Sequence, residues 1–301
     1  MGGMSQGARD GGETRADEVS ANARVHHYHL HYKLISMSAP SLIDAHCHLD
    51  FDLFDNDRTE VMQRAEENNI SDIIIPGTEK IYWDRIRNLC TGHSSEQSSS
   101  WPQLHACYGL HPYWVSENNR RDIESLKVYI DTSNPVAVGE CGLDFRPQQA
   151  DKKTQLHFFE TQLNIAADAR LPVVIHSVRA TETVIQLIKK FKTPGGMIHS
   201  FSGSTEQARQ LIDLNFYISL GGSVTYDNAK KIRKVAKEIP LTSLLLETDA
   251  PDQPDQKNQG KRNEPAYLVN TLEVISELRE ESAEAIATQT TTNAKTLFNI
   301  P

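Results

Sequence analysis

From Leu42 onward two hydrophobic rhythms alternate along the chain. Short, nearly continuous apolar runs occur in LIDAHCH (42–48), SDIIIPG (71–77), LHACYGLHP (104–112), PVAVGECGLD (135–144), PVVIHS (172–177), GMIHSF (196–201), FYISLGG (216–222) and SLLLETDAP (243–251). Between them, apolar residues recur every three or four positions, which predicts helices over residues 59–69, 81–89, 122–129, 153–169, 182–191, 205–214, 228–236 and from 264 to the end. A Ser-rich stretch at 94–100 reads as a loop.

Eight strand–helix units over about 250 residues predict an α/β fold of the (β/α)8 TIM-barrel type. Strands that are apolar throughout fit a parallel sheet covered on both faces. An open doubly wound sheet is the alternative, but no G-x-G-x-x-G follows the first strand. Ligand-type residues end strands one, four, five, six and eight, and only a closed ring brings those ends to one centre. The expected organisation is a disordered N-terminal extension, 1–40, and a single barrel domain, 41–301. Residues 1–24 are Gly, Ser, Ala, Asn and mixed charges, too poor in large apolar residues to build a core. Asp10, Glu13, Asp17 and Glu18 argue against a transit peptide. VHHYHLHYKL follows, with His27, His29 and His31 alternating, and reads as a polar extension; Met37 offers an alternative start.

The candidate chemistry sits at the strand ends. In an extended strand Asp44, His46 and His48 share one face while Ala45 and Cys47 take the other, so two imidazoles converge as the beginning of a divalent-metal site. Glu140, His176, His199 and Asp249 end later strands. Taken singly, His176 or His199 reads more readily as a core histidine bonded to backbone than as a ligand. Together, four histidines and two carboxylates at one mouth suit two divalent ions with a carboxylate between them. The fourth strand ends without a lysine, so any bridging oxygen must come from Glu140. Asp249 is placed to take a proton from an attacking water, making Asp249 and Glu140 the catalytic candidates. Asp44, His111, Asp144 and Glu247 are expected to support the ligands, Arg179 to contact phosphate, and Cys47 and Cys141 to pack against helices.

The 301 residues carry 31 Lys plus Arg against 40 Asp plus Glu, a formal charge of −9, and no basic block that would track a long duplex. A nucleic-acid substrate would therefore be held locally, at single strands or ends. Four cysteines without C-x-x-C spacing predict reduced thiols of a cytoplasmic protein, and no apolar run has membrane-spanning length.

In order and spacing, DAHCHLD, GECGLD, the strand ending in His176, HSFSGS and ETDAP resemble the TatD-like metal-dependent hydrolases, a branch of the amidohydrolase-type barrels, from about residue 42 to 298. The resemblance implies that His46, His48, Asp249 and Glu140 hold one ion and that Glu140, His176 and His199 hold a second, the metal being Zn, Mg or Mn. It implies that Asp249 acts on the nucleophile and that the activity is hydrolysis of DNA phosphodiesters, of 3′–5′ exonuclease type, with RNA ends a further substrate and no membrane or obligate protein partner. A metal-dependent ester or amide hydrolase, such as a D-aminoacyl-tRNA deacylase, would use the same ligands. A non-catalytic scaffold is disfavoured because all six ligand positions are filled. The chain departs from the family pattern in DAPDQPDQKNQGKRNEP (249–265), where Lys257, Lys261 and Arg262 stand among Asp and Gln.

Overall fold

Eight strands lie parallel and in sequence order: β1 (Leu42–Asp44), β2 (Ile70–Pro76), β3 (Gln103–Tyr108), β4 (Ala137–Asp144), β5 (Val173–Val178), β6 (Gly196–Ile198), β7 (Phe216–Leu220) and β8 (Leu244–Leu246). The computed structural model describes residues 40–96, 101–116 and 119–301. Residues 1–39 of the expected N-terminal extension, including His27, His29 and His31, lie outside the described residues. The nine helices among those residues are α1 (Arg58–Glu67), α2 (Lys80–Glu96), α3 (Asp122–Ser133), α4 (Lys152–Ala169), α5 (Thr181–Phe191), α6 (Thr205–Ile212), α7 (Lys230–Glu238), α8 (Leu268–Leu278) and α9 (Ala283–Phe298).

Backbone bonds across the seam between the last and first strands turn the sheet into a barrel. The Ala45 N–H donates to the Leu246 carbonyl at 3.0 Å, and past the strand ends Asp249 N–H donates to His46 and His48 N–H to Ala250, at 2.9 and 2.8 Å. One buried cluster draws Ile43 from β1, Ile74 from β2, Cys107 from β3, Val174 from β5, Met197 from β6 and Leu245 from β8. Residues from so many successive parallel strands can meet only inside the ring. Ala294 and Phe298 of α9 join this inner cluster, and Asn293 Nδ2 donates to the Leu241 and Leu244 carbonyls, both at 2.8 Å. The last helix thereby closes the end of the barrel where the strands begin. A larger cluster fills the layer between strands and helices, with Trp83, Phe158, Phe159, Ile185 and Ile275 among its members. Each such side chain contributes about 1.5–3 kcal/mol by leaving water.

Local signals set the helix ends. Asp151 caps α4 by accepting the Thr154 N–H at 3.0 Å, and Ser204 with Gln207 forms a reciprocal capping box on α6. The stretch read as a Ser-rich loop differs from expectation, since α2 continues to Glu96 and residues 97–100 lie outside the description. Several strands also stop earlier than their apolar runs. His46, His48, His199 and Asp249 lie just beyond β1, β6 and β8, whereas Glu140 and His176 lie within β4 and β5. Past those ends single backbone bonds still reach the neighbouring strands: Cys47 N–H donates to the Ile74 carbonyl of β2 at 3.0 Å, His199 N–H to Ile175 of β5 at 3.0 Å and Phe201 N–H to Ser219 of β7 at 3.1 Å.

Candidate metal centre

Glu140 is the midpoint of the mouth. Its side chain is fully enclosed, and its two oxygens face different groups of imidazole nitrogens. Oε2 lies 3.3 Å from both His46 Nε2 and His48 Nε2. Oε1 lies 3.0 Å from His176 Nδ1 and from His199 Nε2, and 3.2 Å from His111 Nε2. Strict alternation from the outward-facing Val138 would have sent Glu140 outward as well. The β4–β5 register shifts between Val138 and Cys141, and such an irregularity re-aims a side chain next to a site.

The first group is nearly equidistant. His46 Nε2 and His48 Nε2 are 3.2 Å apart, and Asp249 Oδ1 lies 3.4 Å and 3.6 Å from them. Four donors about 2.0–2.1 Å from a tetrahedral ion stand about 3.3 Å from one another, so the spacing matches that required of a shared cation. The Nδ1 atoms of His46 and His48 are buried without a protein partner. The second group has the same compactness, with His176 Nδ1 3.1 Å from His199 Nε2. The residues therefore fit divalent ions on both sides of Glu140.

Around these groups sit residues that orient them. His176 turns Nδ1 inward because its Nε2 meets Asp144 Oδ2 at 3.2 Å. Asp44 accepts from Thr248 N–H at 2.9 Å, from Thr248 Oγ1 at 2.5 Å and from the His46 N–H at 3.3 Å, tying the two motif strands together beneath the site. Glu247 accepts from Ser200 N–H at 2.5 Å and Ser219 Oγ at 2.6 Å, with His199 Nδ1 3.5 Å away but without hydrogen-bond geometry. Asp249 adopts a left-handed backbone at φ 58°, and its Oδ2 accepts from Gln253 Nε2.

Burial and crowding set the charges. Burial opposes ionisation of Glu140, yet His111, His199 and His46 hold it well below the usual carboxylate range. Burial lowers His111 to about 4, so that imidazole is neutral near pH 7. Burial also pushes His48 down, but Glu140, Asp249 and Asp50 outweigh it and raise it to about 9. Asp44 is raised to about 7, chiefly by burial.

The structure brings together all six expected ligands and adds His111, expected only as a support, to the inner face of the site. Asp44, Asp144 and Glu247 stand behind the ligands. Arg179 is exposed and does not line the cleft; Arg146, two residues beyond the GECGLD motif, does. Phe51, Tyr113, Trp114 and Gln253 are further lining residues that the motif spacing did not mark. Cys47 and Cys141 pack in the outer cluster, and Cys47, Cys90, Cys107 and Cys141 are free. In the loop after β8, Lys257 pairs with Glu273, and Arg262 pairs with Asp57 while lying over Phe54. Those two cations are spent on holding the loop.

The model of the TatD-related DNase family matches residues 43–299. The chain is 37% identical over 261 residues to a protein of Bacillus subtilis named uncharacterized metal-dependent hydrolase YabD, spanning 86% of this chain and 99% of that protein. The crystal structure of YjjV, a TatD homolog from Escherichia coli, is 37% identical and superposes with a TM-score of 0.78 over 86% of this chain and 98% of that one. A TatD-family hydrolase from Entamoeba histolytica, 24% identical, shares the fold at a TM-score of 0.75. With the match running from the first strand to the last helix, the chain belongs to the TatD-related DNase family of metal-dependent hydrolases.

Proposed function

We propose that this metal-dependent hydrolase carries two divalent ions, one on each side of Glu140, and cleaves phosphodiester bonds of DNA at single strands or 3′ ends. The observation that carries the reading is the division of Glu140: Oε2 faces His46 and His48, and Oε1 faces His176, His199 and His111. Ions bound there supply Lewis acidity, which brings a water's pKa toward neutrality and polarises a phosphoryl oxygen.

The chain supplies the rest. His46, His48, Asp249 and Glu140 form one ligand set, and Glu140, His176 and His199 the other, with His111 beside it. Asp249 takes the proton of the attacking water; Gln253 bonding to Oδ2 keeps Oδ1 turned toward the histidines. Arg146 brings a cation into the cleft for a non-bridging phosphate oxygen, held in place by its ion pair with Asp144 at 2.6 Å. With Arg146 as the one Lys or Arg among the described residues that line the cleft, a frayed end held locally suits the site better than a long duplex.

A panel of labelled single-stranded DNA, duplex DNA, RNA and aminoacyl-tRNA, each with Zn, Mg or Mn, tests the reading. Single-stranded DNA shortened from its 3′ end supports it. Release of the aminoacyl group with DNA left intact would replace it with the ester-hydrolase reading.

A further inference from the structure

Two aromatic side chains in the loop after β3 are unused by the chemistry above. Tyr113 and Trp114 line the cleft yet remain 37% and 49% exposed. Among the described residues every other Phe, Tyr and Trp ring is buried, as Trp83 and Tyr108 are, or half-buried, so a pair of rings left open at the mouth of the site stands out.

The Tyr113 ring and the Trp114 backbone are held in place. The Tyr113 N–H donates to His111 Nδ1 at 3.1 Å, and the two rings meet edge to face, 4.6 Å between centroids. The Arg146 guanidinium lies 5.1 Å from the Tyr113 ring centre and is anchored by Asp144. Trp114 donates its N–H to the His111 carbonyl at 3.0 Å, and its own carbonyl accepts from Asn119 Nδ2 at 2.6 Å. A third ring, Phe51 from the loop after β1, lies flat on His48 at 4.6 Å. Two of these rings thus rest directly on imidazoles of the candidate metal centre. The cleft also holds the exposed carboxylate of Asp252, which disfavours a phosphate chain on its side and leaves Arg146 as the cation beside the rings.

We propose that Tyr113 and Trp114, with Phe51 and Arg146, form a shelf on which the terminal base of a single-stranded nucleic acid stacks, bringing the adjoining phosphodiester to the histidine–carboxylate cluster. This deepens the phosphodiesterase reading and rests on it. Every base has a π-face, so the shelf is indifferent to sequence. In a duplex the terminal base stays paired and stacked on its neighbour, and it is free to turn onto the shelf only when the end frays.

The test compares a short single-stranded DNA carrying an ordinary 3′-terminal nucleotide with the same strand made abasic at that nucleotide, using the metal-loaded enzyme. Stacking of one base makes the abasic strand bind about tenfold more weakly, seen in KM more than in kcat. Trp114→Ala or Tyr113→Ala removes that discrimination, while Trp114→Phe retains most of it. In parallel, the ordinary strand quenches tryptophan emission of the wild type, and Trp114→Phe loses that quenching although Trp83 and Trp101 remain. Cleavage by wild type and both alanine variants with equal KM and undiminished discrimination would overturn the shelf and leave the hydrolytic reading standing. If the wild type cleaves neither strand, the hydrolytic reading fails; the shelf is then supported if only the base-bearing strand quenches Trp114, and overturned if both or neither do.

Discussion

Asp144 Oδ2 lies 3.2 Å from His176 Nε2, and this contact decides which nitrogen of His176 faces Glu140. A histidine held from behind by a carboxylate has its tautomer and ring plane fixed before any ion arrives. In Asp144→Asn the amide keeps the shape but loses the charge that holds the imidazole. Metal affinity should fall about 10- to 100-fold, measured by competition with a chromogenic chelator. An unchanged affinity would mean that packing alone orients His176.

Removing a ligand should have a larger effect than removing its support. Glu140→Ala deletes the carboxylate whose two oxygens face the two nitrogen sets, and metal analysis of the purified variant should show loss from both positions together with loss of hydrolysis. His46→Ala should reduce metal content less, because the set around Glu140 Oε1 survives it. Full metal content in both variants would remove these residues from the ligand set.

Asp249→Asn separates holding an ion from moving a proton. The amide oxygen can still coordinate, but it has no basicity. Turnover at saturating substrate should drop about 10²- to 10⁴-fold, with metal content and DNA affinity changed much less. Near-normal turnover would assign the proton to another group, and His111, neutral near pH 7, is the first candidate.

Away from the site, Asp72 Oδ1 meets His105 Nε2 at 2.7 Å across β2 and β3. Burial favours the neutral acid, but His105 and Ser71 overcome it and hold Asp72 below the usual carboxylate value. A depressed folded pKa stabilises the fold above the unfolded value of about 3.9, and the gain disappears as pH falls toward the folded pKa. Asp72→Asn should therefore cost about 1–2 kcal/mol at pH 7, and its melting temperature should converge with that of the wild type below about pH 4. A constant gap across that range would show that the pair is not a linked charge.

Much of this protein was legible along the chain. Alternating apolar periods specify a parallel barrel because strands buried on both faces must be apolar throughout, and ligand-type residues at five strand ends need a closed ring to meet. Among the described residues no helix is long and apolar enough to cross a membrane, as the absence of any long apolar run implied. Geometry beyond the strand ends was not legible. Strict alternation placed Ala45 and Cys47 on one face, yet Ala45 packs inside the barrel and Cys47 outside it, because β1 ends at Asp44 and regular pleating ends with it. The same limit applies to Glu140, whose inward aim depends on a register shift against β5, and to His111, which reaches Glu140 from a loop that carries no periodic signal. Arg146 entered the cleft and Arg179 did not, although each closely follows a strand motif. Pairing with Asp144 holds the first over Tyr113, while a left-handed backbone at Arg179 accompanies exposure of the second. A strand's face is a property of neighbouring residues in sequence; the position of a loop side chain depends on partners supplied by other strands.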